Sequence, residues 1–221
     1  MRKPQAFSLT KQKLLEAAQK LMLARGYPVT TLDDICAAAR VTKGSFFHYF
    51  KSKEDLGKAV LEHFMAEQFQ AMQSAAFIKK RDPLARVYGY VDFAIGMSKD
   101  PAIIHGCLLG SFAQDLSDTH PRIRLQCGHY FDQWAAALKR ELDAAKAEYA
   151  PRAAIDTQSL AEHFIAVVEG ALILVKVKQD AKILAKQLRH FKRYLKSLLE
   201  GPVSKSAKHG VNGKTRRIKL S

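Results

Sequence analysis

The side chains whose types and spacing point most directly to chemistry lie between residues 31 and 56. Within this segment, one side of a predicted short helix combines an ammonium group, hydroxyl groups, an imidazole and aromatic rings. These side chains are Thr42, Lys43, Ser45, Phe47, His48 and Tyr49. Groups of these kinds contact base edges and phosphate oxygens in double-stranded DNA. The segment therefore predicts recognition of a nucleic acid.

Apolar residues of the same segment supply the frame that must position these groups. Their spacing lets them point one way across two short helices and the turn between them. They are Leu32, Ile35, Cys36, Ala39, Val41, Phe46 and Phe50. A shared apolar face fixes the angle between two helices and leaves the second free to enter a major groove. The pattern therefore predicts a helix-turn-helix.

Three more residues are predicted to assist DNA binding. Gly44 lacks a Cβ atom, so the start of the second short helix can approach a phosphate closely. Lys53 begins the following helix, where its charge and the free N–H groups can hold a backbone phosphate. Thr31 opens a capping-box pattern and is counted among the predicted DNA-binding residues.

The segment resembles the N-terminal signature of the TetR family of bacterial transcription regulators. The resemblance rests on the Lys43-Gly44-Ser45 step, on His48-Tyr49-Phe50 and on residues 51–54. It implies an all-α fold, with a three-helix DNA-binding domain followed by a helical ligand-binding and dimerisation domain. It also implies a dimer that binds a palindromic operator and responds to a small-molecule effector.

Two residues depart from the pattern of the family that this segment resembles. Members usually carry glycine at the position of Arg40, where the helix ends in a left-handed conformation. Either Arg40 adopts that conformation at a cost of about 1 kcal/mol, or the turn differs. Members commonly carry tyrosine at the position of Phe47, so this side chain is expected to act by apolar contact.

Helical periodicity extends over most of the chain, and no alternating pattern typical of strands is visible. We expect about nine helices, near residues 9–25, 32–39, 43–50, 53–78, 83–99, 101–115, 121–149, 157–180 and 182–199. The predicted domains are a DNA-binding domain at 1–54, an effector-binding and dimerisation domain at 55–200, and a disordered basic tail at 201–221. The helix that begins at Lys53 is expected to link the first two and to sense the effector through Met65, Phe69 and Met72.

The formal net charge of +15 is concentrated at the two ends of the chain. Residues 1–60 carry 11 basic and 5 acidic side chains, and residues 201–221 carry 6 basic and none acidic. Because a basic head on a nearly neutral body is typical of a nucleic-acid module, this distribution favours a polyanionic partner. The tail is expected to attract phosphates without sequence preference.

Two apolar stripes near the end of the chain are compatible with the dimer that the resemblance implies. The stripes are Leu160, Phe164, Val167, Val168, Ala171, Leu172 and Val175, and then Ile183, Leu184, Leu188, Phe191, Leu195 and Leu198. Gly170 would let helices approach closely. An ordinary buried helix shows the same pattern, so both interpretations stay open at this point.

Candidate pocket residues are aromatic and sulfur-bearing side chains of the central helices. They are Tyr90, Phe93, Met97, Cys107, Phe112, Phe131 and Trp134. Their number without matching charges favours an apolar or aromatic effector. For any single one of them, a place in the core is the favoured interpretation.

Cys107 follows Gly106 in a step that resembles a TetR subgroup, some members of which respond to reactive electrophiles. One interpretation is a reactive thiol whose pKa is lowered by a helix N-terminus and by His105. The interpretation that we favour is a buried, unreactive cysteine.

Other classes of function find less support. An enzyme that uses Cys107 with a histidine, or a basic helical scaffold, stays open as an alternative, but no glycine-rich loop or paired-carboxylate site is visible. The histidines and the three cysteines lack metal-site spacing, so no metal or cofactor is expected. Since the longest apolar stretch is too short to span a bilayer, we expect a soluble cytoplasmic protein.

Overall fold

The computed structural model describes residues 9–200, and this part of the chain is all-α. Its nine α-helices are α1 (Leu9–Arg25), α2 (Leu32–Ala39), α3 (Lys43–Tyr49), α4 (Lys53–Ser74), α5 (Pro83–Gly96), α6 (Leu108–Leu116), α7 (Pro121–Tyr149), α8 (Thr157–Lys178) and α9 (Lys182–Leu199). Short 3-10 turns lie at Ala76–Lys79, Met97–Lys99 and Pro101–His105. The predicted fold class is confirmed.

Side-chain caps explain where several helices begin. Thr31, Thr42 and Ser52 accept hydrogen bonds from backbone N–H groups in the first turns of α2, α3 and α4. Asp82 and Asp156 do the same for α5 and α8. Each cap satisfies N–H groups that have no partner inside the helix, so the starts are specified by local sequence.

The predicted helix over 101–115 is wrong in its middle. The chain forms a 3-10 turn, breaks at Gly106 and resumes as α6 at Leu108. Gly106 has φ of +90°, a conformation that other residues rarely adopt. Helix α4 also ends earlier than predicted, at Ser74, and a 3-10 turn replaces its last residues.

Two hydrophobic cores divide the described chain. The first contains apolar side chains of α1 to α4, and also Leu108, Leu109, Phe112 and Leu116 from α6 and Ile123 and Cys127 from α7. The second is built from α5, the rest of α7, α8 and α9. Helix α6 is therefore distant in sequence from α1 and α4 but packs against both of them.

The two apolar stripes of α8 and α9 mostly belong to the second core. Phe164, Leu188 and Leu195 are fully buried within one copy of the chain, and most of their stripe neighbours are also buried. These stripes are therefore not free to pair with another copy. The predicted tail at 201–221 lies outside the described residues.

No helix between residues 9 and 200 is long and apolar enough to cross a membrane.

Candidate DNA-binding surface and effector pocket

Helix α3 separates its buried and exposed faces as the helix-turn-helix pattern predicts. Phe46 is fully buried in the first core, whereas 55% of the adjacent Phe47 is exposed. Thr42 caps the helix because its Oγ1 atom accepts a hydrogen bond of 3.1 Å from the Ser45 N–H. The exposed face of α3 therefore carries Thr42, Lys43, Phe47 and His48. Ser45 and Tyr49, which were also predicted to contact DNA, are half-buried, and Tyr49 packs against the first core.

Lys43 stands at the start of α3 with its ammonium group 2.8 Å from the Asp33 carboxylate on α2. Both side chains are more than half exposed, at 60% and 71%. The hydrogen bond from Lys43, and then the charge of Asp33, raise the pKa of the lysine above its ordinary value. Lys43 is thus a cation held in place by a solvent-exposed pair that an incoming phosphate or base can replace.

Thr31 is tied into the α2 cap. Its Oγ1 atom donates to the Asp34 carboxylate at 2.7 Å and accepts from the Asp34 N–H at 3.1 Å. The Asp34 carboxylate accepts from the Thr31 hydroxyl and also from the Thr31 N–H at 3.1 Å, and these two hydrogen bonds hold the pKa of Asp34 below its ordinary value. The threonine side chain remains exposed, so its predicted contact with DNA stays a prediction beside its capping role.

Gly44 and His48 both lie on the exposed side of α3. A Cβ atom added to Gly44 would meet only the Thr42 Oγ1 atom within 4 Å, at 3.7 Å. Nothing inside the chain therefore requires glycine there, which favours a close approach from outside. The ring of His48 meets Tyr49 edge to face, with centroids 4.7 Å apart. The two rings stiffen the C-terminal end of the predicted reading face.

Lys53 is more engaged within the chain than the sequence indicates. Its Nζ atom donates to the Pro28 carbonyl oxygen at 3.2 Å and lies 4.4 Å from the centroid of the Tyr27 ring. Partial burial lowers the pKa of this lysine. A phosphate contact by Lys53 would add to these contacts or replace them, and it stays a prediction.

Arg40 adopts the left-handed conformation, with φ of 55° and ψ of 46°. The turn keeps its two closing hydrogen bonds, from the Arg40 N–H to Ala37 at 3.1 Å and from the Val41 N–H to Cys36 at 3.0 Å. The first of the two alternatives for Arg40 is therefore correct: the turn is preserved without glycine, at a cost of about 1 kcal/mol.

A small cavity of about 60 Å³ lies between the two cores. Five of the predicted pocket residues contribute to its wall: Tyr90, Phe93, Met97, Cys107 and Trp134. The three side chains of α4 that were predicted to sense the effector, Met65, Phe69 and Met72, also line it. The wall is almost wholly apolar, so the cavity suits an uncharged part of a small molecule.

Two predicted pocket residues lie elsewhere. Phe112 is buried in the first core, where its ring meets Tyr27 edge to face with centroids 5.6 Å apart. Phe131 stacks on Trp134 at 6.4 Å without lining the cavity. Each phenylalanine stands three residues from a cavity residue of its own helix, Leu109 or Trp134, so it is displaced by about one turn.

The remaining wall residues had not been identified from the sequence, and they are Phe64, Gln68, Ala94, Leu109 and Phe164. Phe64 and Gln68 stand one turn apart on α4, beside the Met65, Phe69 and Met72 positions. The four-residue spacing on α4 could have indicated them. Phe164 had been assigned to an apolar stripe, and no local signal separates a core position from a cavity wall.

Of the two interpretations of Cys107, the lowered pKa is wrong. Burial raises the pKa of this thiol well above its ordinary value, and the nearby Glu169 carboxyl raises it further. Glu169 is itself largely buried, and desolvation raises its pKa as well. The position of Cys107 before α6 does not compensate for these two effects. The free-energy cost of removing the thiolate from water is larger than the stabilisation that a helix N-terminus gives it. The thiol is held protonated.

Family models and known proteins agree with the two-part organisation. The model described as bacterial regulatory proteins of the tetR family matches residues 14–60, and the tetracyclin repressor-like C-terminal domain matches residues 83–191. The HTH-type transcriptional repressor DhaR of Mycobacterium sp. (strain GP1) is 30% identical over 170 residues, which are 77% of this chain and 84% of that protein. The transcriptional regulator AcuR of Cereibacter sphaeroides is 31% identical over 191 residues, 85% of each.

A solved structure gives the same result. The regulatory protein TetR from Rhodobacter sphaeroides superposes with a TM-score of 0.75 at 30% identity, over 85% of this chain and 99% of that one. Together, the two family models cover the helix-turn-helix and the helical body, and each relative aligns over more than three quarters of the chain. The chain therefore belongs to the TetR family of bacterial transcriptional regulators.

Proposed function

We propose that the protein is a ligand-responsive repressor that binds a palindromic operator as a homodimer and is released by a small, mainly apolar effector. The observation that carries the proposal is the exposed face of α3, with Lys43 and Phe47 projecting from a helix that Phe46 anchors. One relative, DhaR, is named a transcriptional repressor, which supports repression. A regulator of this kind acts where the bacterial chromosome is, in the cytoplasm, and needs no catalytic step.

An exposed apolar row on α8 supports the homodimer. Ile173, Leu174 and Val177 are 49%, 42% and 76% exposed, although all three are large and apolar. Gly170 continues the row, and a Cβ atom built there meets nothing within 4 Å. A second copy of α8 would bury these side chains, and two-fold symmetry would place two α3 helices for two half-sites.

Contacts from the cavity to the DNA-binding part supply a route for the effector's signal. Leu109 lines the cavity, and Phe112, one turn further along α6, packs on Tyr27. The Lys53 ammonium group, at the start of α4, lies over the same Tyr27 ring. An effector that shifts α6 or α4 changes the spacing of the two α3 helices, and a coupling of about 1–3 kcal/mol reduces operator affinity by roughly 5–150-fold.

The test is selection of tight-binding duplexes from random DNA, followed by titration of the selected duplex. The expected result is a palindromic site, bound with strong salt dependence and lost in the Phe47→Ala variant. Lys186→Ala, which removes an exposed lysine of α9, is the matched control and should bind normally. A protein that enriches no sequence, or that binds equally after Phe47→Ala, would refute the proposal.

The dimer is tested separately by Val177→Glu. A carboxylate in the exposed α8 row should convert the protein to a monomer in light scattering and abolish binding to the full palindrome. A dimer that survives this change would exclude α8 as the contact.

A further inference from the structure

The hydroxyl group of Tyr90 is buried without a hydrogen-bond partner. Only 2% of Tyr90 is exposed, and the residue contributes to the wall of the cavity. The Trp134 indole, the Arg140 guanidinium and the Glu141 carboxylate all lie near the oxygen, yet none of them completes a hydrogen bond to it. Burial keeps the pKa of Tyr90 far above its ordinary value, so the group is a neutral O–H donor.

A buried hydroxyl donor destabilises the protein unless an acceptor forms a hydrogen bond with it. A buried hydroxyl without a partner costs about 1–3 kcal/mol, which a ligand oxygen at the same place would recover. Tyr90 also contributes to the wall of a second hollow, an open groove of about 360 Å³ that shares Phe69 and Met72 with the cavity. Tyr90 therefore lies between the almost wholly apolar cavity and a groove whose wall also includes polar side chains.

The wall of the groove includes one cationic side chain, the Arg140 guanidinium. Glu141 and Arg140 both line the groove, but Glu141 is paired with Arg86, whose Nε atom lies 2.5 Å from the carboxylate. The same Arg86 side chain also donates to the carbonyl oxygens of Lys80 and Arg81 at 2.9 and 2.8 Å. Between residues 9 and 200, no carboxylate forms an ion pair with Arg140, so its guanidinium is available for a ligand.

The cavity sets the size of the apolar part. Its volume is only about 60 Å³, so it holds a short apolar group. Met65, Met72 and Met97 line it, and their flexible side chains can yield to a somewhat larger or planar group.

We propose that the effector is a small monocarboxylate, with its apolar body in the cavity and its carboxylate accepting from the Tyr90 hydroxyl and facing Arg140. The inference rests on the proposed function, because it names the chemical class of the effector for the same pocket. It assigns to Tyr90 and Arg140 the recognition of charge, which the apolar wall cannot provide.

The experiment measures binding of propionate, butyrate and benzoate through the fluorescence of Trp134. This residue is the single tryptophan of the chain and lines the cavity, so its emission reports occupancy directly. Propionamide, butyramide and benzamide serve as uncharged partners of the same shape. At least one acid should bind about 10-fold more tightly than its own amide, because a charged acceptor strengthens both contacts.

Two variants locate the carboxylate. Tyr90→Phe keeps the ring and removes the hydroxyl, and it should weaken binding of that acid by about 10-fold. Arg140→Gln should weaken it by about 5-fold and leave the amide unchanged. Arg124→Gln, an exposed arginine of the same helix outside the groove, is the matched control and should change neither.

The outcomes separate this inference from the function on which it rests. If no acid binds, or an acid and its amide bind equally, or both variants bind normally, the monocarboxylate inference is overturned. Binding of the selected palindrome, measured in the same preparations without any effector, tests the regulator itself. A protein that binds this DNA and ignores all three acids fails only the effector assignment, whereas failure to bind DNA refutes the proposed function.

Discussion

The DNA-binding surface and the effector pocket are built in opposite ways. The proposed surface lies mainly on one short helix, and its predicted contact residues Lys43 and Phe47 are exposed. The candidate pocket is assembled from α4, α5, α7, α8 and the segment around Cys107, and its wall residues are buried or half-buried. A linear motif therefore predicts most of the surface, while the pocket exists only after distant helices have packed.

The two regions also differ in how they treat charge. At the surface, the hydrogen bond to Asp33 raises the pKa of Lys43, so the lysine is a cation in water. In the pocket, burial raises the pKa values of Tyr90 and Cys107, so both side chains are neutral. The first region is suited to a polyanion, and the second to an apolar molecule with few polar atoms.

Substitution of the two neighbouring phenylalanines of α3 should give the largest difference between a buried and an exposed side chain. Phe46→Ala should lower the free energy of unfolding by about 3–5 kcal/mol, because it removes a fully buried ring. Phe47→Ala should change it by less than about 0.5 kcal/mol, since that ring is mostly exposed. Urea unfolding of both variants makes the comparison, and similar losses would mean that Phe47 is structural.

The reactivity of the Cys107 thiol tests the difference in charge between the surface and the pocket. Iodoacetamide should modify it at least about 30-fold more slowly than glutathione at pH 7.5, because little thiolate is present. Since its pKa is raised, the rate should keep increasing as the pH rises beyond 9, and Glu169→Gln should accelerate it. Mass spectrometry of the alkylated peptide provides the rate. Rapid modification at neutral pH would restore the electrophile-sensor interpretation.

Lys43→Ala should weaken operator binding by about 1–3 kcal/mol if the lysine contacts a base edge. The loss should be large on the selected palindrome and small on random DNA. Fluorescence anisotropy on both duplexes measures it. Equal losses on the two would assign Lys43 to a phosphate instead.

Asp33→Asn is expected to have the smallest effect, and in the opposite direction. It frees the Lys43 ammonium group and removes a negative charge beside the DNA, so operator affinity should rise by about 2–5-fold at low salt. The gain should disappear at high salt. Weaker binding would show that the exposed pair orients Lys43 for DNA.

Local sequence predicted the elements whose causes are local. The caps at Thr31, Thr42 and Ser52 begin their helices through side chains three residues from the N–H groups they accept from. The apolar positions of α2 and α3 repeat at helical spacing, so the helix-turn-helix is readable without the rest of the molecule. The break at Gly106 was missed because glycine alone does not state that its φ will be positive.

By itself, the sequence determined the all-α fold and the DNA-binding motif, because helix periodicity, caps and a contiguous reading face depend on neighbours a few residues apart. Only the tertiary structure decided which aromatic residues line the cavity, and it removed Phe112 and Phe131 from that set. It alone brought Glu169 against Cys107 and decided that the pKa of the thiol is raised, since desolvation and charge act through space between residues far apart in the chain.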